Sequence, residues 1–448
     1  MRGRIATNAQ IRQIPPQKIT ERRNTALQTK NTTVYPSAPN KNQAVLPRQV
    51  AFAAAFLLPL GKFLETPALL SRYAKGDILL PALLHFFIES LVLIAVLFAA
   101  TRSEKTLAER IDTALGKWSC ILYVLFAIYY VFAALLPILD LEKFVYAAFF
   151  DTAPTAFYFA TFFLFSAFFA AKGIKSVGRV ADLCIFLFLL PFLALIIMSL
   201  TETDFSHLLP LFGTKFSSVL RGVRDTSPHF SDVALLLPLI INCRFGEAKH
   251  TKSAAKTARP ANADSTKNTK STDNAKGGKP IMLGYAVGAT LTLLFFAVFY
   301  SIFSSIAPRE HYAFSKIAQY FPALEVIGRV DLLFIYLLTV VLFFYTCLPV
   351  HYATGCIAKT LHVRRRTWIS AVLNFSLFLF ALFCNRFYNG FYAVIAGRLA
   401  PVFWFIADML PLLLLFLPKN GKPDLARNTP KNSARSAPKK PKKENANA

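Results

Sequence analysis

The sequence lacks the short motifs that mark most enzymes and metalloproteins. It contains no phosphate-binding glycine loop, no HExxH and no CxxC pair. Its six cysteines lie within apolar stretches and at no metal-ligand spacing, so we interpret them as small packing residues and not as a disulfide framework. We therefore expect a protein that is not an enzyme and that needs no cofactor or metal. The cysteines are Cys120, Cys184, Cys243, Cys347, Cys356 and Cys384.

Acidic residues are scarce as well. The chain has 24 Asp and Glu against 50 Lys and Arg, which gives a formal net charge of +26. The basic excess lies at the two ends of the chain and in the segments between apolar stretches, where it can attract anionic lipid. Because it forms no folded basic face, we expect no nucleic acid partner.

Apolar residues are abundant by contrast: 55% of the chain is hydrophobic, and 44 residues are phenylalanine. Several apolar runs reach the roughly 20 residues that cross a bilayer as a helix, and they do not alternate as barrel strands do. We predict an all-α polytopic membrane protein with about ten transmembrane helices. The predicted spans are residues 50–70, 78–101, 118–140, 154–171, 180–200, 228–244, 281–307, 328–358, 367–385 and 393–417.

The distribution of Lys and Arg predicts the orientation of the chain. They concentrate in both terminal segments and in the loops at 101–117, 172–179, 244–281 and 359–366. The positive-inside rule then places both termini in the cytoplasm, which requires an even number of spans. We predict three regions. They are a disordered basic cytoplasmic tail at 1–48, a ten-helix membrane domain at 49–418 with a basic cytoplasmic loop at 244–280, and a disordered basic cytoplasmic tail at 419–448.

The first predicted span is interrupted at its middle. Residues 57–70 read LLPLGKFLETPALL, which places Gly61 and two charges, Lys62 and Glu65, between two prolines. Pro67 has no N–H and its ring opposes a continuous helix. Irregular backbone survives at membrane depth only where it lines a cavity or is buried in protein. We therefore predict an unwound segment and a binding site here.

The sixth predicted span is interrupted too. The segment TSPHFSDVALLLPLI, residues 226–240, disfavours a continuous helix at its first half, and the amphipathic KFSSVLRGVRD precedes it. Interruptions in spans one and six, five spans apart, indicate two inverted repeats of five spans with a ligand site at the midplane. A ligand with an ammonium and a carboxylate group suits such a site, because half-helix N-termini favour anions and C-termini favour cations.

Four further features of the sequence are AAKGIKSVGRVADL at 170–183, LTETDFSHLLPLF at 200–212, SPHFSDVALLLPL at 227–239, and Arg329 followed by Asp331. In their order and spacing they resemble the spore-germination permease family, the membrane-embedded B subunits of germinant receptors within the amino acid–polyamine–organocation superfamily. The resemblance covers about residues 48–418. It departs from the family at Ser231 and Asp232, where the family commonly has Gly and Glu, so ligand identity does not carry over.

The resemblance implies a LeuT-like fold with broken helices one and six and a small-molecule ligand, often an amino acid. It also implies association with A and C receptor subunits in a bacterial or spore inner membrane. On this basis we expect a germinant receptor subunit that binds a small ligand of the amino acid class and signals spore germination. A proton-coupled amino acid permease is the alternative hypothesis, and a membrane scaffold whose pocket binds nothing is the third.

Nine residues are candidates for ligand binding. Gly61 offers backbone N–H groups to a carboxylate, unless it serves only close helix packing. Lys62 and Glu65 can pair at i,i+3 if the helix is intact there, or Lys62 can stand in place of a coupling cation or carry a proton. The other candidates are Tyr129 and Tyr130, which can instead be core residues, and Ser227, His229, Phe230 and Ser231, of which His229 can instead be solvated.

Five further titratable residues lie in predicted spans. His85 and Glu89 are four residues apart and face the same way, which fits a proton relay or, more simply, hydrogen bonds between helices. Arg398 and Asp408 in the tenth span are nearly three helical turns apart, so we expect no direct pair between them. Asp182 lies near a span end and is expected to fix helix positions.

Overall fold

The computed structural model describes residues 45–102, 106–149, 154–210, 212–243, 245, 266–319, 331–363 and 365–416. The predicted tails, apart from residues 45–48, and Arg329 lie outside this part of the chain. The described residues form helices joined by short turns. Their only extended pairing is an isolated bridge between Val45 and Cys243.

The α-helices are numbered in chain order. They are α1 (Pro47–Leu60), α2 (Thr66–Ala74), α3 (Leu79–Thr101), α4 (Leu107–Leu115), α5 (Ser119–Phe149), α6 (Thr155–Lys172), α7 (Ile174–Ser199), α8 (Phe216–Thr226), α9 (Asp232–Ile241), α10 (Thr266–Phe303), α11 (Ala313–Gln319), α12 (Asp331–Thr360), α13 (Arg366–Arg386), α14 (Tyr388–Tyr392) and α15 (Ala400–Leu413).

Ten spans can be counted among these helices. Six stretches are long and apolar enough to cross a membrane, and they contain α3, α5, α7, α10, α12 and α13. Three shorter apolar helices, α1, α6 and α15, supply further spans. The pair α8 and α9 forms the interrupted sixth span. The predicted all-α architecture of about ten transmembrane helices is confirmed.

The helices pack in the order that two five-span repeats require. Span three (α5) packs most extensively on span eight (α12), span four (α6) on span nine (α13), and span two (α3) on span seven (α10). Each of these partners lies five spans further along the chain. Span one packs on span seven, and span six packs on span two. These two contacts are equivalent, because span six corresponds to span one and span two corresponds to span seven. This is the predicted 5+5 inverted repeat.

The close contact between spans one and seven depends on small residues. A Cβ on Gly284 would overlap the carbonyl oxygen of Ala51, and one on Gly288 would lie 2.8 Å from that of Ala54. Helices in lipid gain stability from such close packing because no hydrophobic effect drives them together. Span one is thereby held against span seven on the N-terminal side of its break.

The break in the first span lies between α1 and α2. Its free carbonyl groups are not left without partners, because α11 supplies its first N–H groups. Ala313 N–H donates to Leu64 O at 3.0 Å, and Phe314 N–H donates to Phe63 O at 3.1 Å. The Phe63 ring fills the space behind the break, against Phe295 at 4.3 Å between ring centroids and three further aromatic rings. Unwound backbone at membrane depth is therefore satisfied by protein.

The break in the sixth span consists of a 3₁₀ turn, Ser227–Phe230, between α8 and α9. Pro228 lies at the start of this turn and Asp232 begins the second half-helix. Asp182 fixes the end of the fifth span as expected: Gln49 Nε2 donates to its carboxylate at 2.9 Å, and Arg48 Nη2 lies 3.6 Å away.

One prediction differs from the structure at its edge. The basic loop was predicted to reach residue 280, whereas the helix of span seven begins at Thr266 and contains Pro280. Once an apolar span fixes a helix, each added residue gains a hydrogen bond at little cost, so the helix extends into a polar segment.

Candidate functional site

The two breaks meet at an ion pair between Lys62 and Asp232. Lys62 Nζ lies 2.6 Å from Asp232 Oδ1 and 2.8 Å from Oδ2, and it donates to Leu58 O at 2.9 Å. The lysine is 0% exposed and the aspartate 5%. A lysine ammonium has three donors, so these partners satisfy it completely. The pair therefore joins span one directly to the second half of span six.

Lys62 does not pair with Glu65, because both residues lie in the break between α1 and α2, where no helix places them on one face. Glu65 Oε1 instead lies 3.8 Å from His311 Nδ1. Of the possibilities raised for Lys62, the structure shows the ion pair, with a different partner from the one considered.

A cavity of about 80 Å³ lies between the two breaks. Because a buried water needs only roughly 10–15 Å³ of such space, it has room for several waters or a small solute. Its walls come from spans one, three, six, eight and ten. They include Leu60, Gly61, Leu64, Glu65, Tyr129, Tyr130, Asp140, Pro228, His229, Ser231, Asp232, Leu235, Tyr345, Thr346 and Phe403.

Six of the nine predicted site residues line this cavity: Gly61, Glu65, Tyr129, Tyr130, His229 and Ser231. Lys62 does not line the cavity itself, but it binds Asp232, which does. Ser227 and Phe230 are brought near but face away. Ser227 Oγ donates to Arg224 O at 2.8 Å, and the Phe230 ring stacks on His85 with centroids 4.1 Å apart. Within the 3₁₀ turn, residues on opposite sides cannot share one wall.

The two tyrosines of span three have different contacts. The Tyr130 hydroxyl donates to Ala234 O at 2.7 Å, which ties span three to the second half of span six. The Tyr129 ring meets Tyr130 edge-on, and its hydroxyl reaches the Ser231 side chain. Tyr130 is therefore mainly a structural contact, whereas Tyr129 and Ser231 form a polar part of the cavity wall.

Gly61 is needed because of a residue that sequence reasoning did not single out. A Cβ at position 61 would overlap the hydroxyl of Tyr345 and lie 2.9 Å from its Cζ. Tyr345 and Thr346 bring span eight to the break of span one, next to the cavity. Nothing local in their sequence signals this role, because it depends on the packing of a span far along the chain.

Carboxylates dominate the charge of the cavity wall. Glu65, Asp140 and Asp232 line it, and no Lys or Arg does so among the described residues. Asp232 is neutralised by Lys62, while Asp140 accepts a hydrogen bond of 2.9 Å from the Tyr388 hydroxyl. Lys143, partly exposed one turn further along span three, is a cation near both Asp140 and Glu65. The wall therefore favours a positively charged ligand group.

Span two holds both halves of span six. Thr226, at the end of α8, has its Oγ1 3.1 Å from His85 Nε2, and Val233, at the start of α9, donates its N–H to Glu89 Oε2 at 2.9 Å. His85 and Glu89 therefore make the helix-to-helix hydrogen bonds that the sequence favoured over a relay. The Val233 N–H, at the positive end of this half-helix, therefore donates to Glu89 and not to a ligand. The sequence predicted that this helix terminus holds a ligand carboxylate, and this N–H group does not do so.

Comparison with known proteins supports this description. Residues 78–259 match the family described as spore germination protein, which confirms the predicted resemblance over that part of the chain. No curated protein sequence matches the chain.

Solved transporter structures share the fold. A mutant of the manganese transporter of Eremococcus coleocola has a TM-score of 0.55 at 14% identity, covering 84% of this chain and 81% of that one. Mhp1, a nucleobase-cation-symport-1 family transporter in a closed conformation with bromovinylhydantoin bound, has a TM-score of 0.51 at 13% identity, covering 82% and 81%. An inward-facing conformation of Mhp1 also gives 0.51 at 13% identity, covering 86% and 81%. At these identities the likeness establishes the fold, which is LeuT-like.

Proposed function

Starting from an integral membrane protein of the permease type, whose residues 78–259 match the spore germination protein family, we propose that this chain is a germinant receptor subunit. It binds a small ligand with a free amine, of the amino acid class, in the cavity between the two breaks. It then passes the signal to A and C partner subunits. The termini lie in the cytoplasm and the membrane is a bacterial or spore inner membrane.

The observation that carries the proposal is the composition of the cavity wall. The ligand amine faces Glu65 and Asp140. Among the described residues of the wall, these are the carboxylates that do not form a close ion pair with a lysine as Asp232 does. Tyr129, Ser231 and Tyr345 also line the cavity, and their hydroxyl groups can donate to a ligand carboxylate. A carboxylate binds an ammonium group strongly in a site that excludes water, because the lower dielectric there strengthens the attraction between the two charges.

The Lys62–Asp232 pair favours a sensor over a cation-driven carrier. A side-chain ammonium, held by three acceptors, occupies the junction of the two breaks. Half-helix ends at such a junction are where LeuT-like carriers place a coupling cation. A tethered cation cannot be released to the other side of the membrane. The ligand can therefore bind and change the junction without a transported ion.

A proton-coupled amino acid permease is the second candidate. Its supporting observation is the set of buried carboxyl groups around the second half of span six, Glu89, Asp232 and Asp408. Such groups at membrane depth are often parts of proton pathways. The two candidates predict the same ligand site and differ in whether the ligand crosses the membrane.

The test uses the protein reconstituted into liposomes with a panel of labelled amino acids. Saturable binding without uptake supports the receptor subunit. Uptake that collapses an imposed proton gradient supports the permease, and the absence of both contradicts the ligand site. Co-purification with A and C subunits from a host that expresses all three checks the proposed assembly.

The ligand site has its own test in Gly61→Val. The added side chain collides with Tyr345, so we expect binding to weaken by at least tenfold, measured by equilibrium binding. Gly355→Val is the matched control, because a Cβ at Gly355 meets no atom within 4 Å. Equal binding by both variants would place the site elsewhere.

A further inference from the structure

Two buried carboxyl groups meet behind the ligand cavity. Glu89 of span two is 1% exposed and Asp408 of span ten is 4% exposed, and these two spans pack on each other and place the two side chains next to one another. Glu89 Oε2 accepts the Val233 N–H. Within the described part of the chain, Glu89 Oε1 and both Asp408 oxygens have no hydrogen-bond donor. Two carboxyl groups from different spans thus face one another with acceptors only.

The neighbouring groups do not neutralise this pair. Lys62 of span one has its three donors committed to Asp232 and Leu58 O. Tyr285 of span seven donates towards Phe86 O at 3.4 Å, and Tyr129 of span three reaches Ser231. Two histidines lie in the same part of the molecule: His85, whose Nε2 meets Thr226 Oγ1, and His229.

The charges in this network do not balance without an added proton. Lys62 offsets one of three buried carboxylates, Asp232, which leaves Glu89 and Asp408. Two ionised carboxylates in contact repel each other, and at membrane depth little water screens them. A hydrogen bond between two carboxyl groups also requires that one of them be protonated, because ionised carboxylates only accept.

We propose that Glu89 and Asp408 form a proton-binding site in which one proton, taken from water, is shared between the two carboxyl groups. The pair then carries a single negative charge, next to the positive end of α9. The proton belongs to the pair and not to either residue alone. This site is separate from the ligand cavity, since neither residue lines it.

The site is placed where it can respond to the ligand. Glu89 holds the N–H of Val233, the residue after Asp232, so any movement of α9 changes the environment of the shared proton. Binding of ligand and of proton would then be reciprocally linked. This linkage rests on the proposed function, whereas the proton site itself does not.

The test is infrared spectroscopy of the ligand-free protein in lipid nanodiscs at neutral pH. The C=O stretch of a protonated carboxyl group is separate from the carboxylate bands and shifts in heavy water. We expect the wild-type protein to show such a band, and both Glu89→Gln and Asp408→Asn to lose the part of it that the shared proton produces. Gln at position 89 resembles the protonated acid, since its Oε1 can accept from Val233 and its Nε2 can donate to Asp408.

Asp77→Asn is the control, because the Asp77 carboxylate accepts N–H groups of Phe212 and Thr214 and lies outside this network. Its band should equal that of the wild type. A band that is absent from the wild type, or that is as strong in both Glu89→Gln and Asp408→Asn as in the wild type, overturns the proposal. So does a sodium-dependent change in the carboxylate bands of the wild type that Glu89→Gln removes, because the pair would then hold a metal ion. Two variants at different helices guard against one that fails to fold.

Discussion

The break in the first span follows the C-terminal end of α1 and contains a lysine, whereas the break in the sixth span precedes α9, whose first residue is an aspartate. A helix C-terminus is partially negative and an N-terminus partially positive. Lys62 and Asp232 each complement their own helix end before they pair with each other. The two breaks are therefore matched in charge, and neither is a defect in an otherwise regular helix.

The breaks also differ in what satisfies their backbone. In span one, N–H groups of α11 hold the free carbonyls of Phe63 and Leu64, so backbone meets backbone. In span six, the Glu89 side chain of span two accepts the backbone N–H of Val233 at the start of α9, and His85 meets the Thr226 side chain at the end of α8. Side-chain contacts can be removed by substitution and backbone contacts cannot. The sixth span should thus be the more sensitive of the two to mutations in its neighbours.

The largest effect is expected from Lys62→Met, which removes the charge shared by the two breaks. It leaves Asp232 buried without a cation, and removing one member of a buried pair costs about 3–5 kcal/mol. Unfolding of the purified protein in denaturant measures this change. The partly exposed pair of Lys316 and Glu310, 3.4 Å apart, provides the control, since Lys316→Met should cost about 0–1 kcal/mol.

A double variant sharpens the same comparison. Lys62→Met with Asp232→Leu removes both charges, and well-packed apolar replacements of a buried pair are often neutral. We expect most of the stability lost in Lys62→Met to return. If Lys62→Met destabilises the protein no more than Lys316→Met does, the Lys62–Asp232 ion pair does not stabilise the contact between the two breaks.

A smaller effect is expected from Glu89→Ala. It leaves the buried N–H of Val233 without an acceptor, which costs about 1–3 kcal/mol. Glu89→Gln keeps an acceptor oxygen at the same place and should stay close to the wild type. The free energy of unfolding measures both. Equal losses in the two variants would show that the Val233 contact does not stabilise the half-helix.

The smallest effect is expected from Thr226→Val, which removes the hydroxyl that meets His85 at the other half of span six. One hydrogen bond of this kind is worth about 0.5–1.5 kcal/mol. Thr292→Val is the control, because Thr292 is equally buried and its hydroxyl bonds only to Gly288 O within its own helix. A loss in the control as large as in Thr226→Val would assign the effect to the threonine, and not to the contact between spans.

Most of the fold follows from the sequence. Apolar runs of membrane length predict the spans, and Pro59, Gly61 and Pro67 predict the first break because they oppose a continuous helix. The second break has the same kind of signal in Ser227 and Pro228. Two breaks five spans apart then predict the repeat, since the symmetry of the fold follows from their order along the chain.

The site was predicted only in part, for a physical reason. Gly61, His229 and Ser231 could be found because they belong to the breaks themselves. Tyr345, Asp140 and the contact between Glu89 and Asp408 could not, because membrane helices are apolar on most faces and their sequences do not show which face meets which neighbour. The same limit explains why Ser227 and Phe230 were expected in the wall. The sequence shows where along the chain a helix breaks, but it does not show which side chains of the break face the cavity.

The sequence by itself determined that this is a membrane protein of about ten helices, two of them interrupted, because length, hydrophobicity and proline act locally. Only the tertiary structure decided that Lys62 pairs with Asp232 and not with Glu65, and that Glu89 meets both Val233 and Asp408. Those partners lie far apart along the chain. Their choice depends on the packing of whole helices, in which buried charges and hydrogen-bonding groups must find one another because lipid offers them none.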